Sequence, residues 1–152
     1  MFLMRKLLGL FVKIERGGNM YLFDASSIVN LIKKGMTKPF ANGVTIDIAL
    51  YESLNAIWKE YQLLKKFDKD TALMFVDIIS HVFNVIKALP IRGLEKEIFN
   101  LASKEDLTVY DASYVYTAMK NKLILVTDDR KLGNKASKYV KVITSSELIT
   151  SY

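Results

Sequence analysis

Short apolar segments alternate with longer segments of helical periodicity from Met20 to the end of the chain. Residues 21–23, 44–46, 123–127 and 140–143 are predicted strands, and a further strand is expected just before Pro90. Residues 26–34, 48–67, 71–81 or beyond, 92–104 and 111–121 are predicted helices, and 107–109 is a predicted strand or extended entry to the last of them. This alternation predicts a mostly parallel sheet with helices on both faces.

The composition narrows the classes of chemistry available to the chain. Its 152 residues are enough for one domain with a single core. The absence of cysteine excludes disulfides, thiolate metal sites and cysteine nucleophiles, and it is compatible with the cytoplasmic location that we expect. The single histidine, His81, argues against a histidine zinc site or a Ser-His-Asp triad. The predicted helix from residue 71 to 81 or beyond has an apolar face but is too polar to span a membrane, and no membrane association is expected.

Residues 1–19 have the character of an extension that precedes the domain at 20–152. They carry +3 of the net charge of +6, so the overall positive charge is only weak support for binding a polyanion. Their apolar run is brief, contains Lys13 and is followed by no signal-peptidase motif, which disfavours export. We hypothesise that translation starts at Met20 and that 1–19 lies upstream of the native start. An intact first segment in the mass of the native protein would refute this.

Four acidic residues, Asp24, Glu52, Asp111 and Asp129, lie where an apolar strand ends or a helix begins. Parallel strands bring their carboxyl ends to one edge of a sheet, so these distant side chains can converge there. Carboxylate oxygens are the ligands that magnesium and manganese prefer. Each acid alone also has a structural explanation, as a helix cap, an exposed helix residue or a turn residue. Their combination favours a metal site.

The sequence lacks the glycine-rich nucleotide-binding fingerprints and the nucleophile elbow G-x-S-x-G. Four motifs instead occur in order: DASS at 24–27, Glu52 in the second helix, YDASY at 110–114, and TDDRKL at 127–132. Together they resemble the PIN-domain nucleases, and the size and spacing are most similar to the VapC-type toxins of type II toxin–antitoxin systems. The resemblance covers residues 20–147.

The resemblance implies a three-layer α/β/α sandwich with about five strands and a ribonuclease that depends on Mg²⁺ or Mn²⁺. It also implies a homodimer and a cognate antitoxin that blocks the acidic pocket. The family's catalytic and metal-binding quartet corresponds to Asp24, Glu52, Asp111 and Asp129. The family's Thr-x-Asp pattern selects Asp129 over Asp128.

Several neighbours of the quartet are secondary candidates. Ser26 matches the family's small hydroxyl residue beside the first aspartate, and Thr127 and Asp128 adjoin the fourth acid. Arg130 and Lys131 are candidates for contacts with the substrate backbone, although a solvated charge cluster is the default explanation for them.

The leading hypothesis is a toxin-like endoribonuclease that hydrolyses RNA by metal-assisted water attack, leaving a 5′-phosphate and a 3′-hydroxyl. One alternative is a PIN nuclease of RNA processing or of structured DNA. The other is a catalytically silent PIN-fold binding module. Cleavage of RNA with Mn²⁺ that disappears in Asp24→Asn and Asp111→Asn separates an enzyme from a silent module, and a neighbouring antitoxin gene supports the toxin.

Overall fold

A five-stranded parallel sheet forms the centre of the molecule. The structure is a computed structural model that describes residues 20–152, so the predicted extension at 1–19 lies outside the described residues. The strands are β1 (Tyr21–Phe23), β2 (Gly43–Ile46), β3 (Lys87–Leu89), β4 (Ile124–Val126) and β5 (Val142–Ile143). Their order is β3-β2-β1-β4-β5, and every pairing is parallel. The predicted mostly parallel sheet of about five strands is confirmed.

Seven α-helices connect and cover these strands in the described part of the chain. They are α1 (Ala25–Lys33), α2 (Ile48–Trp58), α3 (Lys69–Val85), α4 (Glu95–Glu105), α5 (Val109–Lys120), α6 (Arg130–Ala136) and α7 (Ser145–Ile149). Helices α1, α2 and α3 pack together, and α4 packs on α5. Right-handed crossovers to opposite sides of β1 place these two groups on opposite faces, which gives the predicted α/β/α sandwich.

The central strand β1 is anchored by a close contact between Phe23 and Gly43. The Phe23 ring is fully buried and packs edge-on against Phe40, with 5.1 Å between the ring centroids. A Cβ at position 43 would lie 2.1 Å from Cε2 of Phe23, so only glycine leaves room for the ring. Because Phe23 immediately precedes Asp24, this contact also fixes where β1 ends.

Of the two interpretations of 107–109, the strand is wrong, and the extended entry holds as far as Thr108, whose backbone is extended. Thr108 is the N-cap of α5, and its Oγ1 accepts a hydrogen bond of 3.1 Å from the backbone N–H of Asp111. This cap starts the helix at Val109, two residues before the predicted start. Asp111 therefore lies in the first turn of α5 rather than directly after a strand.

The predicted helix at 48–67 also differs from the structure. Its α-helical part ends at Trp58, and a π-helical turn follows over Lys59–Leu63, with the backbone N–H of Leu64 donating to the carbonyl of Lys59. Lys65 then adopts a left-handed conformation with φ 51°, which stops the helix. No helix between residues 20 and 152 is long and apolar enough to cross a bilayer.

Candidate active site

Asp24 lies at the carboxyl end of β1 and is almost completely buried, with 4% of its surface exposed. Its backbone N–H donates to the carbonyl of Val126 at the end of β4 (3.1 Å). Its carboxylate caps α1 by accepting a hydrogen bond of 2.9 Å from the backbone N–H of Ser27. The predicted first acid is therefore held between two neighbouring strands and the start of a helix.

Two hydroxyl groups also face the Asp24 carboxylate. Ser26 Oγ lies 2.8 and 2.9 Å from its two oxygens, and Thr127 Oγ1 donates to Oδ2. Burial raises the pKa of Asp24 to about 6, because the hydrogen bonds from Thr127, Ser27 and Ser26 offset only part of the cost of removing the charge from water. Both secondary candidates, Ser26 and Thr127, thus lie at the site and orient the first acid.

The adjacent aspartates after β4 have different surroundings. The Asp128 carboxylate accepts hydrogen bonds from Asn30 Nδ2 (2.7 Å) and from the backbone N–H (2.8 Å) and Oγ (2.6 Å) of Ser145. Asp129 is exposed, and its Oδ1 accepts from the backbone N–H of Leu132 (3.1 Å), which caps α6. The Asp128 carboxylate therefore joins α1 to α7. In Asp129, Oδ2 accepts no hydrogen bond from residues 20–152 and remains available for other contacts.

The charge of Asp111 interacts with the charges of both Asp129 and Glu52. Burial, followed by the nearby charge of Asp129, raises the pKa of Asp111, and Lys131 and Lys135 counteract this. Burial raises the pKa of Glu52, and the charge of Asp111 raises it further to a smaller extent. The charges of these acids therefore act on one another at the same edge of the sheet.

Tyr114 is a site residue that the sequence did not single out. It is 2% exposed, and its hydroxyl donates a hydrogen bond of 2.7 Å to Oε1 of Glu52. Burial and the charges of Glu52 and Asp24 raise the pKa of Tyr114, which places this hydroxyl near both acids. In the sequence it appeared only as the last residue of the YDASY motif, one helical turn after Asp111.

The donor set fits a hard divalent cation that keeps part of its water shell. In the described residues, no three acidic or histidine side chains are close enough together to hold a metal ion by themselves. None of the four acids forms a salt bridge within residues 20–152, so no lysine or arginine there pairs directly with their carboxylates. Mg²⁺ commonly uses only one or two carboxylates and completes its shell with water and substrate phosphate.

The predicted substrate-binding residues Arg130 and Lys131 are exposed in the first turn of α6. Arg130 lines an open groove of about 430 Å³ between α6, β5 and the start of α7, which also includes Asp129. Lys131 is close enough to Asp111 to lower its pKa. Both cations therefore border the acids, where a phosphate group would reach them.

Comparison with known proteins identifies relatives over most of the chain. No family model matches it. It is 32% identical over 126 residues to exonuclease VapC9 of Pyrobaculum aerophilum, covering 82% of this chain and 91% of the relative. It is 37% identical over 93 residues to ribonuclease VapC3 of the same organism, covering 60% of this chain and 69% of the relative.

A solved structure agrees with these relatives. The crystal structure of PAE2754 from Pyrobaculum aerophilum matches with a TM-score of 0.73 and 29% identity, covering 90% of this chain and 92% of that one. The resemblance inferred from the four motifs is thereby confirmed. The chain belongs to the VapC family of PIN-domain nucleases.

Proposed function

We propose that this protein is a toxin-like endoribonuclease that hydrolyses RNA phosphodiester bonds with Mg²⁺ or Mn²⁺. The observation that carries the proposal is the buried Asp24 carboxylate, which no lysine or arginine neutralises in the described chain and which lies at the same sheet edge as three further acids. Keeping a carboxylate ionised in such a place is costly unless a cation binds it. The proposed site acids are Asp24, Glu52, Asp111 and Asp129, of which one or two would bind the ion directly and the others through its coordinated water.

The surrounding residues have distinct roles in this proposal. Ser26 and Thr127 orient Asp24, and Tyr114 orients Glu52 through its hydroxyl hydrogen bond. The Thr108 cap fixes the first turn that carries Asp111. A bound ion would lower the pKa of a coordinated water and stabilise the charge developing on the phosphate.

Arg130 and Lys131 supply the positive charge on the outer side of the acids. Both are exposed, so they can reach the phosphates on either side of the bond that is cut. Phosphate contacts of this kind position the RNA and contribute little to sequence choice. Arg130→Ala and Lys131→Ala should therefore each weaken binding of all RNA sequences by a similar factor and make it less dependent on salt, while the choice of cleavage site stays the same.

The test of this function is RNA cleavage in Mn²⁺ by the wild-type protein and by Asp24→Asn and Asp111→Asn. Each substitution should lower the rate by about 100-fold or more, because removing a metal ligand sacrifices several kcal/mol of transition-state stabilisation. Glu97→Gln, an exposed acid in α4, is the matched control and should leave the rate unchanged. Equal cleavage by all four proteins would refute the proposal.

The name of one relative favours a second candidate, an exonuclease that needs an RNA end. A circular RNA separates the two activities, because it has no end to attack. Linear products from a circular substrate would establish the endonuclease. Cleavage confined to linear RNA, with mononucleotides released from one end, would establish the exonuclease instead.

We also propose that the protein is cytoplasmic, forms a homodimer and is inhibited by a cognate antitoxin that covers the acids. The dimer surface would use the apolar side chains that α3 and the preceding turn leave exposed, namely Leu63, Leu64, Leu73 and Met74. Exposed apolar patches of this kind are typical of contacts between subunits. Analytical ultracentrifugation of Leu73→Lys should give a monomer, whereas an unchanged sedimentation coefficient would exclude this surface.

A further inference from the structure

An apolar groove of about 250 Å³ lies beside the acids and has no role in the proposed hydrolysis. It is bordered by the start of α2, the residue Ile91 after β3, and the start of α5. We call it the tyrosine groove after its two most exposed aromatic side chains, Tyr51 and Tyr110, which are 71% and 58% exposed.

The position of the groove ties it to the substrate path. Tyr51 immediately precedes Glu52 in α2, and Tyr110 immediately precedes Asp111 in α5. Both tyrosines line the same groove, so it lies beside the segments of α2 and α5 that carry Glu52 and Asp111. A nucleotide whose phosphate reaches these acids therefore has its base within reach of the groove.

The chemistry of the groove suits a base and not a phosphate. Its walls include the apolar side chains Ile48, Ile91 and Val109 and the two tyrosine rings, and no lysine or arginine from residues 20–152 lines it. A phosphate would be repelled by Asp47 and by the neighbouring acids. A neutral, planar nucleobase instead gains from stacking on exposed aromatic rings, which is how proteins commonly hold unstacked bases of single-stranded RNA.

Asp47 adds a hydrogen-bond acceptor at the rim. It is exposed, and its side chain does not cap α2, although it occupies the N-cap position. A carboxylate accepts from the exocyclic amino group of a base and cannot donate to a carbonyl. Uracil offers this acceptor only its ring N3–H, which lies between two carbonyl oxygens that a carboxylate repels, so the groove favours cytosine, adenine or guanine over uracil.

We infer that the tyrosine groove binds one unstacked, amino-bearing nucleobase next to the phosphodiester bond that is cut, with Tyr51 and Tyr110 as stacking side chains and Asp47 as the acceptor. The inference rests on the proposed ribonuclease function and adds a base-selecting subsite to it. Specificity would then come from this groove, whereas the acids and the exposed cations act on the backbone.

The experiment compares Tyr51→Ala and Tyr110→Ala with the corresponding phenylalanine variants on a short single-stranded RNA. Loss of a stacked ring should raise KM by about 5- to 150-fold, and phenylalanine should restore it. Phe99→Ala removes an equally exposed ring from α4, outside the groove, and should leave KM unchanged. Alanine variants that keep the wild-type KM would overturn the inference.

An RNA with one abasic residue beside the cleaved bond separates base binding from a structural effect. The wild-type protein should lose affinity for it, and Tyr110→Ala should lose nothing further, because the stacked partner is already missing. Asp47→Asn should reduce the preference for cytosine over uracil at that position, since an amide both donates and accepts. Equal penalties for Tyr110→Ala on intact and abasic RNA would overturn the inference.

Two additional measurements keep the outcomes distinct. Fluorescence anisotropy measures binding of the intact and abasic RNAs and does not require cleavage. If the wild-type protein cleaves no RNA, the proposed hydrolysis is refuted, but the binding measurement still tests the groove. Sedimentation of the alanine variants tests whether a second copy of the chain occupies the groove instead of a base. A change of oligomeric state in both variants would show that a second copy of the chain covers the groove, and it would overturn the base-binding subsite.

Discussion

Replacing Asp24 with asparagine should change how the stability of the protein depends on pH. The Asp24 carboxyl has a pKa of about 6 in the folded protein, against an ordinary value of 3.8, because it is buried. The folded state therefore binds this proton more tightly than the unfolded state does. The contribution of Asp24 to the free energy of unfolding is greatest below the pKa that this carboxyl has in the unfolded chain. It decreases as the pH rises from about 4 and is lost above about 6.

The size of the effect follows from the separation of the two pKa values. One pKa unit corresponds to about 1.4 kcal/mol, so the complete penalty for ionising Asp24 in the folded state is about 3 kcal/mol. About 2 kcal/mol of it develops between pH 4.5 and pH 7.5. Asparagine carries no charge at any of these pH values, so Asp24→Asn should lack this part of the pH dependence.

Urea unfolding at several pH values between 4.5 and 7.5, in the presence of a chelator, measures the difference. The free energy of unfolding of the wild-type protein should fall relative to that of Asp24→Asn by about 2 kcal/mol over this range. Glu97→Gln should follow the wild-type curve. Parallel curves for the wild-type protein and Asp24→Asn would refute the link between burial and charge on which the metal site depends.

Adding Mg²⁺ at pH 7.5 provides an independent check on the same carboxylate. An ion that binds only the folded state raises the free energy of unfolding, and a ligand at 100 times its Kd contributes about 2.7 kcal/mol. The wild-type protein should gain stability and Asp24→Asn should gain much less. An equal gain in both would place the ion elsewhere.

Three further substitutions test other contacts. Gly43→Ala should destabilise the protein by about 1–3 kcal/mol in urea unfolding, because the new Cβ forces the Phe23 ring to move; unchanged stability would contradict this. Tyr114→Phe should lower kcat by about tenfold and shift the acidic limb of the pH–rate profile upward, because Glu52 loses the hydrogen bond that lowers its pKa; an unmoved limb would exclude the positioning role. Asp128→Asn should cost about 2 kcal/mol of stability while the folded variant still cleaves RNA, and loss of cleavage by folded protein would instead make it a catalytic acid.

The sequence predicted the sheet well where local patterns decide the structure. The apolar segment before Asp24 gives β1, and the helical pattern after it gives α1, almost at the observed bounds. The strand before Pro90 is also confirmed as β3. These elements follow from short-range periodicity and a helix cap, which are visible without knowing the fold.

The sequence was misleading where a side chain decided the local backbone. Apolar Leu107 and Val109 around Thr108 suggested a strand, but the threonine hydroxyl caps α5 instead. The α-helical pattern from residue 48 continued through a π-helical turn that no periodicity distinguishes from an α-helix. The short helices α6 and α7 were not predicted because each contains too few residues to show periodicity.

Contacts between distant residues explain what sequence alone left open at the site. The hydrogen bond from Tyr114 to Glu52 joins residues 62 positions apart, and no local pattern indicates it. The different surroundings of Asp128 and Asp129 depend on Asn30 and Ser145, which reach Asp128 from other elements. The catalytic and metal-binding roles of the four acids stay predictions, for which this geometry supplies the physical basis.

The hydroxyl of Thr127 has a mechanical consequence for the acidic edge. It donates its only hydrogen to Asp24 and accepts the backbone N–H of Asp129, so one atom joins the ends of two neighbouring strands. A sliding displacement of β1 against β4 would break the bond from Thr127 to Asp24 together with the bond from the Asp24 N–H to the Val126 carbonyl, whereas the bond from the Asp129 N–H lies within the end of β4. Such a joint resists gradual deformation. We therefore expect the strand ends to stay rigid when RNA binds, with any adjustment confined to helices and connecting segments around them.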